Sequence, residues 1–215
     1  MKTRLLIADD HAIVRDGIRS LLQSEKDFTV VGEAANGRQA VKQATELRPD
    51  VVIMDIAMPE LNGVEATRQI MARNPCVIVI ALSMHGDKSF VADMLKAGAV
   101  GYLQKSCAFR HLVRAIRTAM AGNIYLNPDI IRIVVEGFRR KIPDTAMFQV
   151  LSAKEREVLQ LLSEGHSSKE IANRLGVTSK TIDTHRQNIM DKLGLRSVAA
   201  LTKYAIREGL TSVDV

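Results

Sequence analysis

The sequence predicts an α/β fold, a doubly wound parallel sheet of five strands, with a second, small all-α domain after it. Short apolar runs alternate with amphipathic stretches through the first half. The runs are apolar at successive positions, as in strands covered on both faces. From Leu151 onward strand signals stop, and helix-start signals replace them.

In chain order the strands are LLIA (5–8), FTVVGEA (28–34), VVIM (51–54), VIVIAL (77–82) and VGYL (100–103). Segments of helical period lie between them, with Ile13, Gly17 and Leu21, then Val41 and Ala44, Ala66 and Ile70, and finally Leu112, Ile116 and Met120. Alternating strand and helix call for a parallel sheet with helices on both faces. After Gly122 the pattern loosens into a short apolar helix-like piece, a basic cluster Arg139, Arg140 and Lys141, and Pro143 with Asp144. This divides the chain into 1–121, a linker 122–149 and a helical domain 150–215. Four helix starts mark the last part: Ser152 with Glu155, Ser167 with Glu170, Ser179 and Ser197.

At 47% hydrophobic and 25% charged residues, the composition is that of a globular protein, and disorder is excluded. No run approaches the roughly 18 apolar residues of a membrane span, and Lys2 and Arg4 lead into a strand-like run without a cleavage site. A cytoplasmic location without membrane attachment is expected. Cys76 and Cys107 are too few for a disulfide framework and are read as buried free thiols. The net charge of +6 hints at an anionic partner, but the excess is spread thinly over all three segments and locates no surface.

Ligands of open α/β sheets gather beyond the carboxyl ends of the strands. Asp9 and Asp10 follow the first strand, Asp55 ends the third, Ser83 the fourth, and Lys105 follows the fifth. Three carboxylates brought together repel one another and call for a cation. The ligand set is oxygen, with no His or Cys aligned with it, which favours Mg2+ over zinc. Asp10 and Asp55 would bind it directly and Asp9 through water. A free oxygen of Asp55 could attack phosphorus, with Lys105 and the Ser83 hydroxyl holding the phosphoryl oxygens. Any one of these acids, taken singly, is more often a turn former or helix cap.

The segments LLIADDH, MDIAMPELNGVEA, ALSMH and GYLQKS closely resemble the receiver domain of two-component response regulators over about residues 3–121. The resemblance implies a flavodoxin-like sheet of order 2-1-3-4-5. It makes Asp55 the phosphoacceptor, charged by a histidine kinase, with Mg2+ on Asp9, Asp10, Asp55 and the backbone carbonyl of Ala57. It also implies that Ser83 and Tyr102 form the switch pair, the ring turning inward on activation, and that Ala57 and His85 tune loss of the phosphoryl group. The other reading of Tyr102, and the less favoured one, is a rim aromatic with a solvated hydroxyl.

The C-terminal stretch LSAKEREVLQLLSEGHSSKEIANRLGVTSKTIDTHRQNIMDKLGLRS reads as helix, helix, turn, helix. In its third helix Ile182, Ile189 and Leu193 share one side with His185 at the margin. Lys180, Asp183, Thr184, Gln187 and Asn188 face away. That polar face suits a major-groove reader, and equally a solvated surface. Residues 151–210 resemble the LuxR-type four-helix DNA-binding domain, and the whole chain resembles a NarL/FixJ-family regulator. By that resemblance Asp183, Thr184 and Gln187 fall at base-reading positions, and Lys180, Thr181 and Lys192 at DNA-backbone positions. His185 would make a phosphate or an internal contact, and the last helix, with Val198, Leu201 and Ala205 on one side, would be a dimerisation helix. Asp183 is a departure: it should alter the preferred site or be turned aside.

The expected function is a transcriptional regulator that accepts a phosphoryl group on Asp55 and binds DNA as a homodimer, without turnover of an external substrate. A phosphomonoester hydrolase would want a second Asp two residues after the nucleophile, where Ala57 stands. A nucleotide switch would want a glycine-rich phosphate loop, which does not occur. A regulator that ignores phosphorylation would leave the full acidic set without use.

Overall fold

The structure, a computed structural model, describes residues 2–83, 88–140 and 150–211. His85 lies outside the described residues, as do Lys141, Pro143, Asp144 and the side chain of Cys107. The chain divides into two compact units, 1–142 and 143–215.

The first unit runs β1 (Thr3–Ala8), α1 (Ala12–Gln23), β2 (Phe28–Ala34), α2 (Gly37–Leu47), β3 (Val51–Asp55), α3 (Gly63–Arg73), β4 (Ile78–Ser83), α4 (Lys88–Ala97), β5 (Gly101–Gln104), α5 (Lys105–Met120), β6 (Tyr125–Leu126) and α6 (Pro128–Arg140). All strand pairings are parallel, in the order β2-β1-β3-β4-β5-β6. The central strand β3 is buried along its whole length, as continuous apolar runs require when helices cover both faces. Leu5, Ile7, Ile53, Ile80 and Leu82 form one side of the core with Ile18 and Leu22 of α1 and Leu112 and Ile116 of α5.

A sixth strand is present where five were expected. Tyr125 and Leu126 pair with Gly101 and Tyr102, extending the sheet beyond β5. Two residues carry no alternation, so nothing in the sequence marked them as a strand. The next helix, α6, is capped by the buried Asn127, whose Oδ1 accepts the Ile130 N–H at 3.1 Å. It packs against α4, with Ile130 fully buried.

Two helix faces differ from expectation. In α1 the stripe against the sheet is Val14, Ile18, Leu21 and Leu22, and Ile13 is 82% exposed. Met120, at the end of α5, is also exposed. Spacing of three and four fits either stripe, and only the docking of the helix selects one. Cys76, expected buried, is an exposed free thiol in the turn before β4.

The second unit contains α7 (Ala153–Ser163), α8 (Ser168–Leu175), α9 (Ser179–Leu193) and α10 (Val198–Arg207). Ser152 with Glu155 and Ser167 with Glu170 form capping boxes, and Ser197 caps α10 through the Ala200 N–H. The cap of α9 is Thr178 rather than Ser179. Thr178 is extended and its Oγ1 accepts the Thr181 N–H, while Ser179 is already helical. Gly176 ends α8 at φ 67°, a left-handed conformation that turns the chain into α9 and that glycine adopts without strain. Val158, Leu159, Leu162, Ile171, Ile182, Ile189, Leu201 and Ala205 make one core. Among the described residues, no helix of the chain is long and apolar enough to cross a membrane.

Candidate functional site

The carboxyl ends of β1, β3, β4 and β5 lie side by side, because Ala8 is in register with Met54, Asp55 with Leu82, and Ser83 with Gln104. Asp9, Asp55, Ser83 and Lys105 therefore share one rim, and all four are buried. A tightly hydrogen-bonded strand mounts Asp55, and the backbone beyond it is fixed as well. Ile56 donates to the Leu82 carbonyl at 3.1 Å, and the Gly63 N–H donates to the Ile56 carbonyl at 2.8 Å. Gly63 is required there, since a Cβ would run into the carbonyl oxygen of Asp55.

Lys105, the first residue of α5, holds two acids at once. Its Nζ donates to Asp55 Oδ2 at 2.7 Å and lies 2.8 Å from Asp9 Oδ2. The second contact lacks hydrogen-bond geometry, so Asp9 Oδ2 is a buried oxygen without a hydrogen-bond partner among the described residues. The other oxygen of Asp9 accepts the His11 N–H at 2.9 Å. Burial first, and then the charge of Asp9, push the Asp55 carboxyl up to about 7 against the opposing pull of Lys105. Burial works to lower the Lys105 ammonium, but the charges of Asp55 and Asp9 and the hydrogen bond to Asp55 outweigh it and raise it.

Candidate ligand atoms of Asp9, Asp10, His11 and Asp55 lie within 4.8 Å of one another. A buried acid oxygen without a hydrogen bond, beside two further carboxylates, fits a hard cation. Asp10 is half-buried, and the exposed Ala57 follows in the connection after β3. Ser83 is 7% exposed, and Tyr102 on β5 is fully buried, so its ring stands inward rather than at a wet rim.

Two residues of this rim went unread in the sequence. His11, expected to stand apart from the acids, has Nδ1 at 2.6 Å from Asp10 Oδ1 and 3.5 Å from Asp9 Oδ1. Arg15 donates through Nη1 to the backbone carbonyls of Asp9, at 2.7 Å, and Asp10, at 3.2 Å, fixing the acidic turn from the first turns of α1. The adjacency of His11 to the two acids was a usable signal. That of Arg15 was not, because its partners are main-chain atoms.

In the second unit, Lys180, Thr181, Asp183, Thr184 and Gln187 are all exposed on α9, with Asn188, and opposite the buried Ile182 and Ile189. Leu193 is partly buried against the same core, and His185 is half-buried. Asp183 is turned toward α8: Ser168 Oγ donates to its Oδ1 at 2.9 Å, and Arg186 Nη2 lies 3.3 Å from the same oxygen. Thr184 donates to the Lys180 carbonyl at 2.9 Å, and Gln187 Nε2 to Asp191 Oδ1 at 2.9 Å. Lys192 is tied inward, donating at 2.7 Å to Glu155 Oε2, which also accepts the Ser152 N–H. Although burial works the other way, the Lys192 and Ser152 hydrogen bonds hold the Glu155 carboxyl below its ordinary range. Of the apolar stripe on α10, Leu201 and Ala205 are consumed by the core of their own unit and Val198 is exposed.

A parallel sheet with a lysine-bridged acidic rim, joined to a capped helix-turn-helix unit, defines a phosphoacceptor coupled to a DNA-binding module. Comparison with known proteins specifies the class further. Residues 5–117 match the response regulator receiver domain, and residues 149–205 match the bacterial regulatory proteins of the luxR family. The chain is 36% identical to the oxygen regulatory protein NreC of Staphylococcus carnosus, over 96% of this chain and 98% of that protein. It is 33% identical to the transcriptional regulatory protein DegU of Brevibacillus brevis, over 99% and 96%. Among solved structures, the RcsB response regulator of Salmonella typhimurium matches at 29% identity and a TM-score of 0.59, covering 94% of this chain and 97% of that one. The chain belongs to the NarL/FixJ family of two-component response regulators and is a phosphorylation-regulated, DNA-binding transcriptional regulator.

Proposed function

We propose that this is a cytoplasmic protein in which Asp55 is the phosphoacceptor, loaded by a histidine kinase, and that the modified protein binds duplex DNA as a homodimer through α9. The observation that carries this reading is Lys105 bridging Asp55 and Asp9 at the sheet rim, which leaves Asp55 buried yet served by a cation for the incoming phosphoryl group. An oxygen of Asp55 attacks the phosphorus of a phosphohistidine. The P–O bond forms as the P–N bond breaks, and the electron pair leaves with the ring nitrogen, which takes a proton. Lys105 and the Ser83 hydroxyl then hold the phosphoryl oxygens. Asp9, Asp10, Asp55 and the Ala57 carbonyl are the groups that would hold Mg2+, which when bound supplies positive charge to those oxygens. No turnover of an external substrate belongs to this reading.

Ser83 and Tyr102 form the switch of a two-state equilibrium. Residues 1–121 are the phosphoacceptor domain and 150–215 the DNA-binding domain. The connecting stretch 122–149 begins as β6, paired to Tyr102, and continues as α6, packed on the helix that follows Ser83. Both switch residues thus have a neighbour on the path toward the second domain. Support for DNA binding comes also from a relative, RcsB, solved as a DNA complex and as two dimers on two parallel DNAs. Lys180 and Thr181 contact the DNA backbone, and Lys192 steadies α9 through Glu155 as it does so. Asp183, Thr184 and Gln187 face the bases.

Beryllofluoride with Mg2+ tests the switch. It raises dimerisation or DNA affinity of the wild-type protein and leaves Asp55→Ala unaffected. An equal response of both proteins contradicts the assignment of Asp55.

A further inference from the structure

Asp183 is an acid at a position that the proposed function turns toward DNA, and a free carboxylate there would be repelled by phosphates and swing away. It is not free: Ser168, on the preceding helix, donates to Oδ1 at 2.9 Å, and Arg186 Nη2 stands 3.3 Å from that oxygen. Both contacts fall on Oδ1, so Oδ2 keeps its lone pairs. The adjacent Thr184 spends its only hydroxyl proton on the Lys180 carbonyl, and so offers acceptor lone pairs as well. One end of the reading face is therefore a fixed pair of acceptors whose charge is partly neutralised by Arg186.

Base edges in the major groove answer such a pair unequally. Cytosine presents an amino donor and no acceptor, adenine a donor beside the N7 acceptor, guanine two acceptors, and thymine an acceptor and a methyl group. A held carboxylate attracts the first, meets the second with partial repulsion and disfavours the other two. We infer that Asp183 selects cytosine at one position of each half-site, with Ser168 and Arg186 as positioning residues that hold the carboxylate in place. The inference rests on α9 lying in the major groove.

Selection from a random duplex pool by the full-length protein, with beryllofluoride and Mg2+, tests it. The wild type enriches cytosine at one fixed position. Asp183→Ala loses roughly tenfold of the preference for cytosine over guanine there. Asp183→Asn, which keeps the shape, also loses the bias against guanine. Ser168→Ala weakens the preference without changing affinity for unselected duplex, and Ser168→Thr restores it. Identical enrichment by wild type and both Asp183 variants overturns the inference, as does loss of all DNA binding in those variants. Failure of the wild type to bind any duplex would instead sink the groove-reading on which it rests.

Discussion

The acidic rim and the exposed face of α9 are both built from short polar side chains, yet they are held by opposite means. Asp9, Asp55 and Lys105 come from three places in the chain, are almost wholly buried, and meet within 2.7 to 2.8 Å. The α9 residues come from one helix, are exposed, and are ordered by neighbours three or four positions away or on the preceding helix. Burial makes each charge at the rim energetically large and raises the Asp55 carboxyl, whereas solvent keeps each contact on α9 small. The rim acts as a unit, and the helix face acts as a sum of modest terms.

Lys105→Ala breaks the rim most severely, since it leaves Asp9 and Asp55 buried without their cation. The receiver unit should lose about 3 kcal/mol in urea unfolding at pH 8 without divalent ions, and a loss below about 1 kcal/mol would mean that water already screens the acids. Asp55→Asn, under the same conditions, should stabilise the unit by about 2 kcal/mol. The folded state holds Asp55 at about 7, above its ordinary value of 3.8, so ionisation costs stability fully above pH 7. That cost is relieved as the pH falls, and the gain from Asn should fade between pH 7 and 4. A gain that is flat with pH would assign it to packing.

On α9 the effects should be smaller and separable. Lys180→Ala should weaken binding to every sequence and reduce the salt slope by about one unit, whereas Gln187→Ala should relax preference at a base position. Uniform loss for Gln187→Ala would remove it from the bases. Smallest of all, Lys192→Ala should cost about 0.5 kcal/mol of stability, because the ammonium that pairs with Glu155 is 42% exposed. Since that pair holds the Glu155 carboxyl below its ordinary value, the cost should be present at pH 7 and vanish as acid protonates Glu155.

Much of this site was legible in the sequence because each acid or base stood at the end of an apolar run, and parallel strands align such ends. Asp9, Asp55, Ser83 and Lys105 were placed by that rule alone. Arg15 was not legible, as its partners are main-chain carbonyls, and neither was the inward tie of Lys192 to Glu155, which lie 37 positions apart. Leu201 and Ala205 carried an apolar stripe that suits a dimer interface or a core equally, and packing alone assigned them to the core.

By itself the sequence determined the kinds of element, their order and the chemistry at the strand ends. Periodicity, caps and residue type are local properties, read over a few positions. Tertiary structure alone decided which stripe of α1 docks, that Tyr125 and Leu126 extend the sheet, that the Tyr102 ring stands inward, and that Asp183 is clamped by Ser168. Each of those outcomes depends on distances between segments far apart in the chain, and no local pattern encodes such a distance.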